Sequence, residues 1–185
     1  MCGDGHGHSH DGGSCASVAQ PQDDIRRYDM CSYIDFEKVT VLNESVDGAG
    51  KLVFKSMENK QDRENFVESD CDPELLFNIP FSGHVKLTGI VVSGDENDTH
   101  PAKIKLFKDR EAMSFDNCSV EADQEIDLKM DEQGVVDYPL KANKFGNLHH
   151  LSILVSRNFG ADESKVYYIG LRGEFQHDFR QRVSL

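Results

Sequence analysis

The 185-residue sequence lacks several features on which common protein functions depend. It has no tryptophan and no Cys-x-x-Cys pair, and its five cysteines are scattered along the chain. A disulfide framework or a thioredoxin-type redox centre needs paired or closely spaced cysteines, so we expect neither. No apolar run approaches the roughly 20 residues of a membrane-spanning helix, and the first 20 residues lack the apolar region of a signal peptide. The expected location is therefore the cytoplasm, with the nucleus as a second location.

Positive charge is also scarce. Lysine and arginine together number 20 against 33 aspartates and glutamates, which gives a formal net charge of -13. The longest basic run is the pair Arg26-Arg27. Because the electrostatic field of a protein with this negative charge repels phosphate groups, we expect neither nucleic acid nor an anionic membrane as a partner.

The polarity of the chain changes near residue 25. Residues 1–24 contain few large apolar side chains, and such a segment cannot offset the entropy of becoming ordered. We therefore predict a disordered His/Gly-rich tail over residues 1–24 and one folded domain over residues 25–185. The tail carries five soft or borderline metal ligands: Cys2, His6, His8, His10 and Cys15. Zinc or copper could bind there. The favoured interpretation is a solvated tail, and metal handling is kept as an alternative.

The rest of the chain has the pattern of many short strands. Turn residues recur at short intervals, and no window shows three clean turns of helical periodicity. A proline at position 80 is expected to end the strand before it, because proline cannot donate to a central ladder. The predicted strands cover residues 51–55, 75–79, 85–93, 103–106, 151–155 and 166–171, with weaker ones at 125–129 and 135–141. Within residues 85–93, Val85, Leu87 and Val91 are expected on one face, and Ile90 and Val92 on the other. This arrangement predicts an all-β protein, a β-sandwich or jelly roll.

No familiar catalytic motif interrupts this pattern. There is neither a Gly-x-Ser-x-Gly elbow nor a phosphate-binding glycine loop before a helix. The acidic residues that alternate between positions 68 and 74 lie on one side of an extended segment, which favours a solvated acidic loop. His149 and His150 fall in a predicted strand, so their rings should point to opposite faces and cannot readily share a metal. We assign no catalytic, cofactor or metal residue and expect a protein that is not an enzyme.

A series of short strings resembles the PITH domain, a module attached to proteasome-interacting thioredoxin-like proteins and also found alone. The strings, in the family's order, are FVESD (66–70), ELLFNIPF (74–81), VKLTGI (85–90), HP (100–101), KLF (105–107), MSFD (113–116), NFG (158–160) and YIGLRGE (168–174). The resemblance implies a jelly-roll β-sandwich of the galactose-binding-domain-like type, and the 26S proteasome as a partner. Redox activity is not carried over, because the thioredoxin Cys-Gly-Pro-Cys is missing from this sequence.

The preferred function is therefore a protein-binding module or adaptor that presents loops to a protein complex. The segments selected for binding are residues 66–70, 96–100 and 157–160. The partner-binding residues predicted from them are Glu68, Ser69, Asp70, His100, Arg157 and Asn158. A carbohydrate-binding β-sandwich is the second hypothesis, although the absence of tryptophan removes the usual stacking platform for sugar rings.

Overall fold

Antiparallel strands make up most of the regular structure in the computed structural model, which describes residues 28–178. Within that range nine strands occur: β1 (Thr40–Leu42), β2 (Val67–Glu68), β3 (Leu75–Ser93), β4 (Pro101–Lys108), β5 (Gln124–Asp127), β6 (Tyr138–Pro139), β7 (Leu148–Asn158), β8 (Lys165–Val166) and β9 (Tyr168–Asp178). One short helix, α1 (Ala142–Phe145), and 3₁₀ turns at Met30–Tyr33, Ala49–Val53, Met57–Asn59 and Phe115–Ser119 complete the described elements. The predicted all-β class is confirmed.

The long strand β3 connects the two parts of the sheet system. Its first half pairs with β1 and β7, and β7 in turn pairs with β4, which pairs with β5. Its second half pairs with β9 and with the short β6. Strands β2 and β8 form a separate two-stranded ribbon. Because the two halves of β3 have different neighbours, β3 joins the part of the sheet formed with β1, β7, β4 and β5 to the part formed with β6 and β9.

Apolar side chains from both halves of β3 enter one core. The cluster includes Leu75, Phe77, Ile79, Ile90, Val92, Ile104, Leu106, Leu151, Ile153, Val155, Ile169 and Leu171, all buried. A second, smaller cluster covers the opposite face of β3, β4 and β7: Leu76, Phe107, Met113, Cys118 and Leu154. Strands β3 and β7 are therefore buried on both faces, which explains their nearly continuous apolar sequences.

The predicted end of a strand at Pro80 is wrong. Strand β3 continues through Pro80, which lies opposite His150 of β7. Pairing with β1 stops at Asn78, so no β1 acceptor needs an N–H group at position 80. The register with β7 shifts between Pro80 and Val85. A proline is tolerated at such an irregularity, and its carbonyl accepts a hydrogen bond from Asp35 N at 2.9 Å.

The predicted strand at residues 51–55 is also wrong, because a 3₁₀ turn spans Ala49–Val53. Gly48 adopts a left-handed conformation with φ of 83°. The Glu44 carboxylate accepts hydrogen bonds from Gly48 N (2.8 Å) and Gly50 N (2.7 Å), which closes the chain into a turn. Leu52 is exposed, so the apolar residues here do not form one face of a strand.

The strand over residues 85–93 is confirmed, but its faces were assigned wrongly. The register with β9 shifts between Leu87 and Gly89. This bulge inserts one residue and exchanges the two faces beyond it. The main core therefore takes Val85, Leu87, Ile90 and Val92, whereas Val91 is buried outside that cluster. Strands β5 and β6 correspond to parts of the two weaker predictions.

The predicted tail, residues 1–24, lies outside the described residues. Among residues 28–178, no helix has the length and apolar character needed to cross a membrane.

Candidate functional site

The three segments selected from the sequence meet at one end of the molecule. Strand β2 pairs with β8, with Glu68 opposite Lys165. Backbone hydrogen bonds join Phe159 N to His100 O (3.2 Å) and Lys165 N to Thr99 O (3.0 Å). Residues 66–70, 96–100 and 157–165 therefore form one surface, which we call the loop end.

His100 is completely buried at the base of the loop end. Its Nε2 atom accepts a hydrogen bond from Asp131 N at 3.0 Å, and its Nδ1 atom lies 2.8 Å from Pro101 O. Since a backbone N–H can only donate and a carbonyl can only accept, the ring carries its proton on Nδ1. Both ring nitrogens are thus used inside the protein, and this side chain presents no surface to a partner.

Asn158 has a similar internal role. Its side-chain amide donates to Ala161 O and Glu163 O, both at 3.0 Å, and its carbonyl oxygen accepts from Gly160 N at 3.0 Å. These three bonds close the loop between β7 and β8. Asn158 is buried, so it shapes the loop from within.

Ser69 joins the first segment to the same loop. Ser69 N donates to Ser164 O at 2.9 Å, and Ser69 Oγ accepts from Ser164 N at 2.8 Å. Ser164 Oγ donates in turn to Pro73 O at 2.6 Å. The buried serine pair therefore holds residues 66–70 against residues 157–165.

The other three predicted residues are accessible. Glu68 lies 3.6 Å from Lys165 Nζ and is partly exposed. Arg157 is 66% exposed and has a long 3.9 Å contact with Asp127. Asp70 is exposed and lies beside the exposed thiol of Cys71, 3.5 Å from its sulfur. Partner contact stays a prediction for Glu68, Asp70 and Arg157, whereas Ser69, His100 and Asn158 support the loops that carry them.

Cationic and aromatic side chains that the sequence analysis missed support the loop end from one side. Lys165 Nζ lies 4.2 Å from the centre of the Phe66 ring, and Arg63 Cζ lies 4.3 Å from that of Tyr167. Tyr167 donates a hydrogen bond to Asp95 at 3.2 Å. Burial acts to lower the pKa of Lys165, but its hydrogen bond and charge interactions outweigh burial and raise it. Arg63 and Phe66 are neighbours in sequence but lie far from Lys165 and Tyr167, so no local motif could have indicated that the two pairs meet.

The outer surface of the loop end combines one apolar side chain with many carboxylates. Phe159 is 39% exposed, and its ring centre lies 6.0 Å from that of the buried His100. The exposed acidic residues on these loops are Asp70, Glu96, Asp98, Asp162 and Glu163. Exposed aromatic side chains are frequent anchors of protein interfaces, and the surrounding charge selects the sign of the partner.

Residues 28–178 contain no group of three or more His, Cys, Asp or Glu side chains placed to hold a metal ion. One acidic side chain of the 68–74 segment instead has a structural role. Asp72 Oδ1 accepts hydrogen bonds from Asn43 Nδ2 (3.0 Å) and Glu74 N (2.9 Å). The Cys and His ligands of the predicted tail lie outside the described residues.

The sandwich with its loop end belongs to the class of galactose-binding-like β-sandwich domains. It aligns with two CBM32 domains of Clostridium perfringens ZmpB at 9% identity and a TM-score of 0.54, covering 86% of this chain and 40% of that one. The same domains in complex with GalNAc align with a TM-score of 0.52 at 8% identity, covering 78% and 35%. At these identities the likeness shows the fold alone, and it confirms the predicted galactose-binding-domain-like β-sandwich.

The PITH domain model matches residues 20–185, and the chain belongs to the PITH domain family. A PITH domain-containing protein of Caenorhabditis elegans is 70% identical over 188 residues, covering 100% of this chain and 88% of the relative. PITH domain-containing protein 1 of Homo sapiens is 47% identical over 184 residues, covering 97% and 87%. The resemblance seen in the sequence strings is confirmed.

Proposed function

We propose that this protein is a non-enzymatic binding module or adaptor whose loop end docks onto a protein complex. The observation that carries the proposal is the exposed Phe159 among carboxylates, on loops fixed by buried hydrogen bonds. Such a surface loses little conformational entropy on binding, because its backbone is already held in place. The 26S proteasome is the candidate complex, by the family resemblance, and the proposed location is the cytoplasm, with the nucleus as a second location.

The charge of the loop end defines the matching surface. The exposed charged side chains of the loop-end segments comprise five carboxylates and one cation, Arg157. A complementary partner surface is therefore basic and contains an apolar pocket for the Phe159 ring. The net charge of -13 favours a protein over nucleic acid or an anionic membrane as the partner.

The experiment captures the tagged full-length protein from a cytosolic extract and measures proteasome regulatory subunits by mass spectrometry. The double variant Asp70→Lys/Asp98→Lys reverses two exposed charges at the loop end, and Phe159→Ala removes the aromatic anchor. The double variant Glu58→Lys/Glu121→Lys changes the net charge equally at exposed positions elsewhere. We expect both loop-end variants to lose at least about tenfold in captured proteasome, and the control to retain it.

Two results would contradict parts of the proposal. Equal loss in the loop-end and control variants would mean that net charge, not this surface, governs capture. Reproducible capture of another complex without proteasome subunits would keep the binding-module function and exclude the proposed partner.

Two further functions remain predictions. Carbohydrate binding is supported by the shared fold with the ZmpB domains solved with GalNAc, and a saccharide titration tests it directly. Metal handling would depend on Cys2, His6, His8, His10 and Cys15, so deletion of residues 1–16 should abolish zinc binding if that role exists.

A further inference from the structure

A cavity of about 720 Å³ lies near the start of β7. Its lining comes from residues 34–40, 80–82, 111–112 and 149–150, together with Asn78. The start of β7 is far from the loop end, because His150 and Asn158 are eight positions apart on this strand, which corresponds to about 26 Å. This cavity, which we call the β7 cleft, is therefore separate from the loop end.

Strand β9 ends at the rim of the β7 cleft. It runs antiparallel to β3 as far as Asp178, which lies opposite Gly83. The residues of β3 that come next in this direction, 81–82, line the cleft. Ile34 pairs with Phe81 on the side of β3 away from β7, so the edge along which β9 runs is already occupied there. The ladder between β9 and β3 therefore stops where the cleft begins.

The lining of the cleft has an excess of negative charge. It contains three carboxylates, those of Asp35, Glu37 and Glu111, and one ammonium group, that of Lys38. Lys38 lies 3.1 Å from Asp35, so the excess lies on Glu37 and Glu111. Glu111 is 75% exposed and lies 3.4 Å from His149 Nε2. An occupant with positive charge is therefore favoured.

The cleft also presents an apolar surface. Phe36 lies in the lining and is 38% exposed. The two histidines of the lining face different surroundings, as predicted: His150 is buried, whereas the side chain of His149 is 35% exposed. An exposed aromatic ring beside carboxylates matches an occupant that combines apolar and cationic side chains.

The sequence that follows β9 has this combination. Residues 179–185, FRQRVSL, lie outside the described residues. They contain two arginines, Arg180 and Arg182, and no acidic residue, in a chain whose net charge is -13. Their apolar residues are Phe179, Val183 and Leu185. The segment therefore complements the cleft in both charge and polarity.

The position of this segment in the chain also favours the cleft. It follows directly on Asp178, at the rim, and seven residues can reach up to about 23 Å, which is enough to enter a cavity of about 720 Å³. A short tether gives such a segment an effective concentration of about 1 mM or more, so contacts that would be weak between separate molecules are sufficient. The PITH domain model matches residues 20–185, so the segment lies within the family domain.

We propose that residues 179–185 of this chain bind in the β7 cleft. The two arginines pair with Glu37 and Glu111, and the apolar side chains of the segment cover Phe36. The cleft is thus filled from within the chain. This inference does not depend on the loop end, where the contact with a partner is proposed.

The test is NMR spectroscopy of the full chain. We expect nuclear Overhauser contacts between the Phe36 ring and methyl groups of residues 179–185. Arg180→Glu/Arg182→Glu replaces attraction by repulsion, so the equilibrium constant for docking should fall at least about tenfold. These contacts should then disappear, and the amide signals of Phe36 and Glu111 should shift.

Matched variants test the pairing itself. Lys129→Glu/Lys141→Glu makes the same change of charge at exposed positions outside the lining and should leave the contacts intact. Glu37→Arg/Glu111→Arg should abolish them. Combining this pair with Arg180→Glu/Arg182→Glu restores opposite charges with exchanged signs, so the contacts should return. The amide spectrum of each variant reports whether it is folded.

Three outcomes would overturn the proposal. The first is no contact between the Phe36 ring and the segment in the wild-type chain. The second is a combined variant that fails to recover the contacts. The third is loss of the contacts on about tenfold dilution together with dissociation of a dimer in sedimentation, because a tethered segment keeps its effective concentration on dilution. That result would assign the cleft to the segment of a second copy.

Discussion

The two ends of the sandwich treat buried polar groups differently. At the loop end, His100 uses both ring nitrogens and Asn158 uses its whole amide in hydrogen bonds to the backbone. Near the other end of β7, His150 is almost as buried but leaves Nδ1 unpaired. The same residue type, histidine, therefore serves as a structural support in one region and as an unsatisfied group in the other.

This difference distinguishes buried residues that stabilise the fold from exposed residues that are available to a partner. Where the protein completes its own hydrogen bonds, the buried residue stabilises the fold and the neighbouring exposed residues make contact with a partner. Where a buried polar group has no internal partner, the folded state loses the free energy of a hydrogen bond. The six partner-binding residues predicted from the sequence divide along this line, because Ser69, His100 and Asn158 are structural and Glu68, Asp70 and Arg157 are accessible.

The largest difference in the free energy of unfolding is expected between two single variants, in which leucine replaces either His100 or His150. His100→Leu leaves Asp131 N and Pro101 O without their partner, so the free energy of unfolding should fall by about 3 kcal/mol. His150→Leu removes a nitrogen that already lacks a partner, and the change should stay below about 1 kcal/mol. Urea unfolding at pH 7.5 measures both. Equal destabilisation would remove the distinction between the two ends.

A smaller effect distinguishes, within the loop end, a residue that supports the loops from a residue proposed to contact the partner. Asn158→Ala deletes three hydrogen bonds and should lower the free energy of unfolding by about 2 kcal/mol. Phe159→Ala truncates a side chain that is 39% exposed and should cost less than about 1 kcal/mol. Thermal or urea unfolding gives these values. A larger cost for Phe159 than for Asn158 would mean that Phe159 is part of the core.

Local sequence patterns were sufficient for most of the sheet. Alternating or continuous apolar residues indicate the strands at 85–93, 103–106 and 151–155, although the bulge between Leu87 and Gly89 exchanges the faces within the first of them. The errors arose where side-chain hydrogen bonds and strand pairing, which the apolar pattern does not show, decide the backbone. The Glu44 carboxylate closes the turn at Gly48, and the end of β1 pairing permits Pro80 within β3.

The candidate site was predictable only in outline. Family strings selected three segments that the fold does bring together. The roles of their residues depend on partners distant in sequence, as for His100 with Asp131 and Ser69 with Ser164. Polar residue types suggest exposure, so burial at these positions could not be read from the chain. The orphan Nδ1 of His150 likewise becomes visible only when its surroundings are known.

A third prediction uses pH to examine the burial of the His150 ring. Burial lowers the pKa of His150 in the folded protein below its usual value of 6.5. The unfolded chain therefore binds this proton more readily, and the contribution of His150 to stability is constant above about pH 6.5. As the pH falls below that value, stability should decrease until the folded pKa is passed. The difference in stability between the wild-type protein and His150→Leu should therefore shift in favour of the variant as the pH falls from 7.5 to 5, as measured by urea unfolding. A constant difference would show that the ring is not desolvated.

The smallest effect concerns a thiol that reports on the loop end. The Asp70 carboxylate accepts a hydrogen bond from Cys71, and this bond and the negative charge of Asp70 raise the pKa of the thiol. Because the thiolate is the reactive form, Asp70→Asn should increase alkylation of Cys71 at pH 8 by about threefold. Mass spectrometry of the peptide that contains Cys71 measures the rate. The buried Cys118, whose pKa is raised mainly by burial, is the internal control and should not change. If a partner docks at Asp70 as proposed, it should also protect Cys71 from alkylation. Unchanged alkylation of Cys71 in the presence of a bound partner would mean that the partner does not cover Asp70.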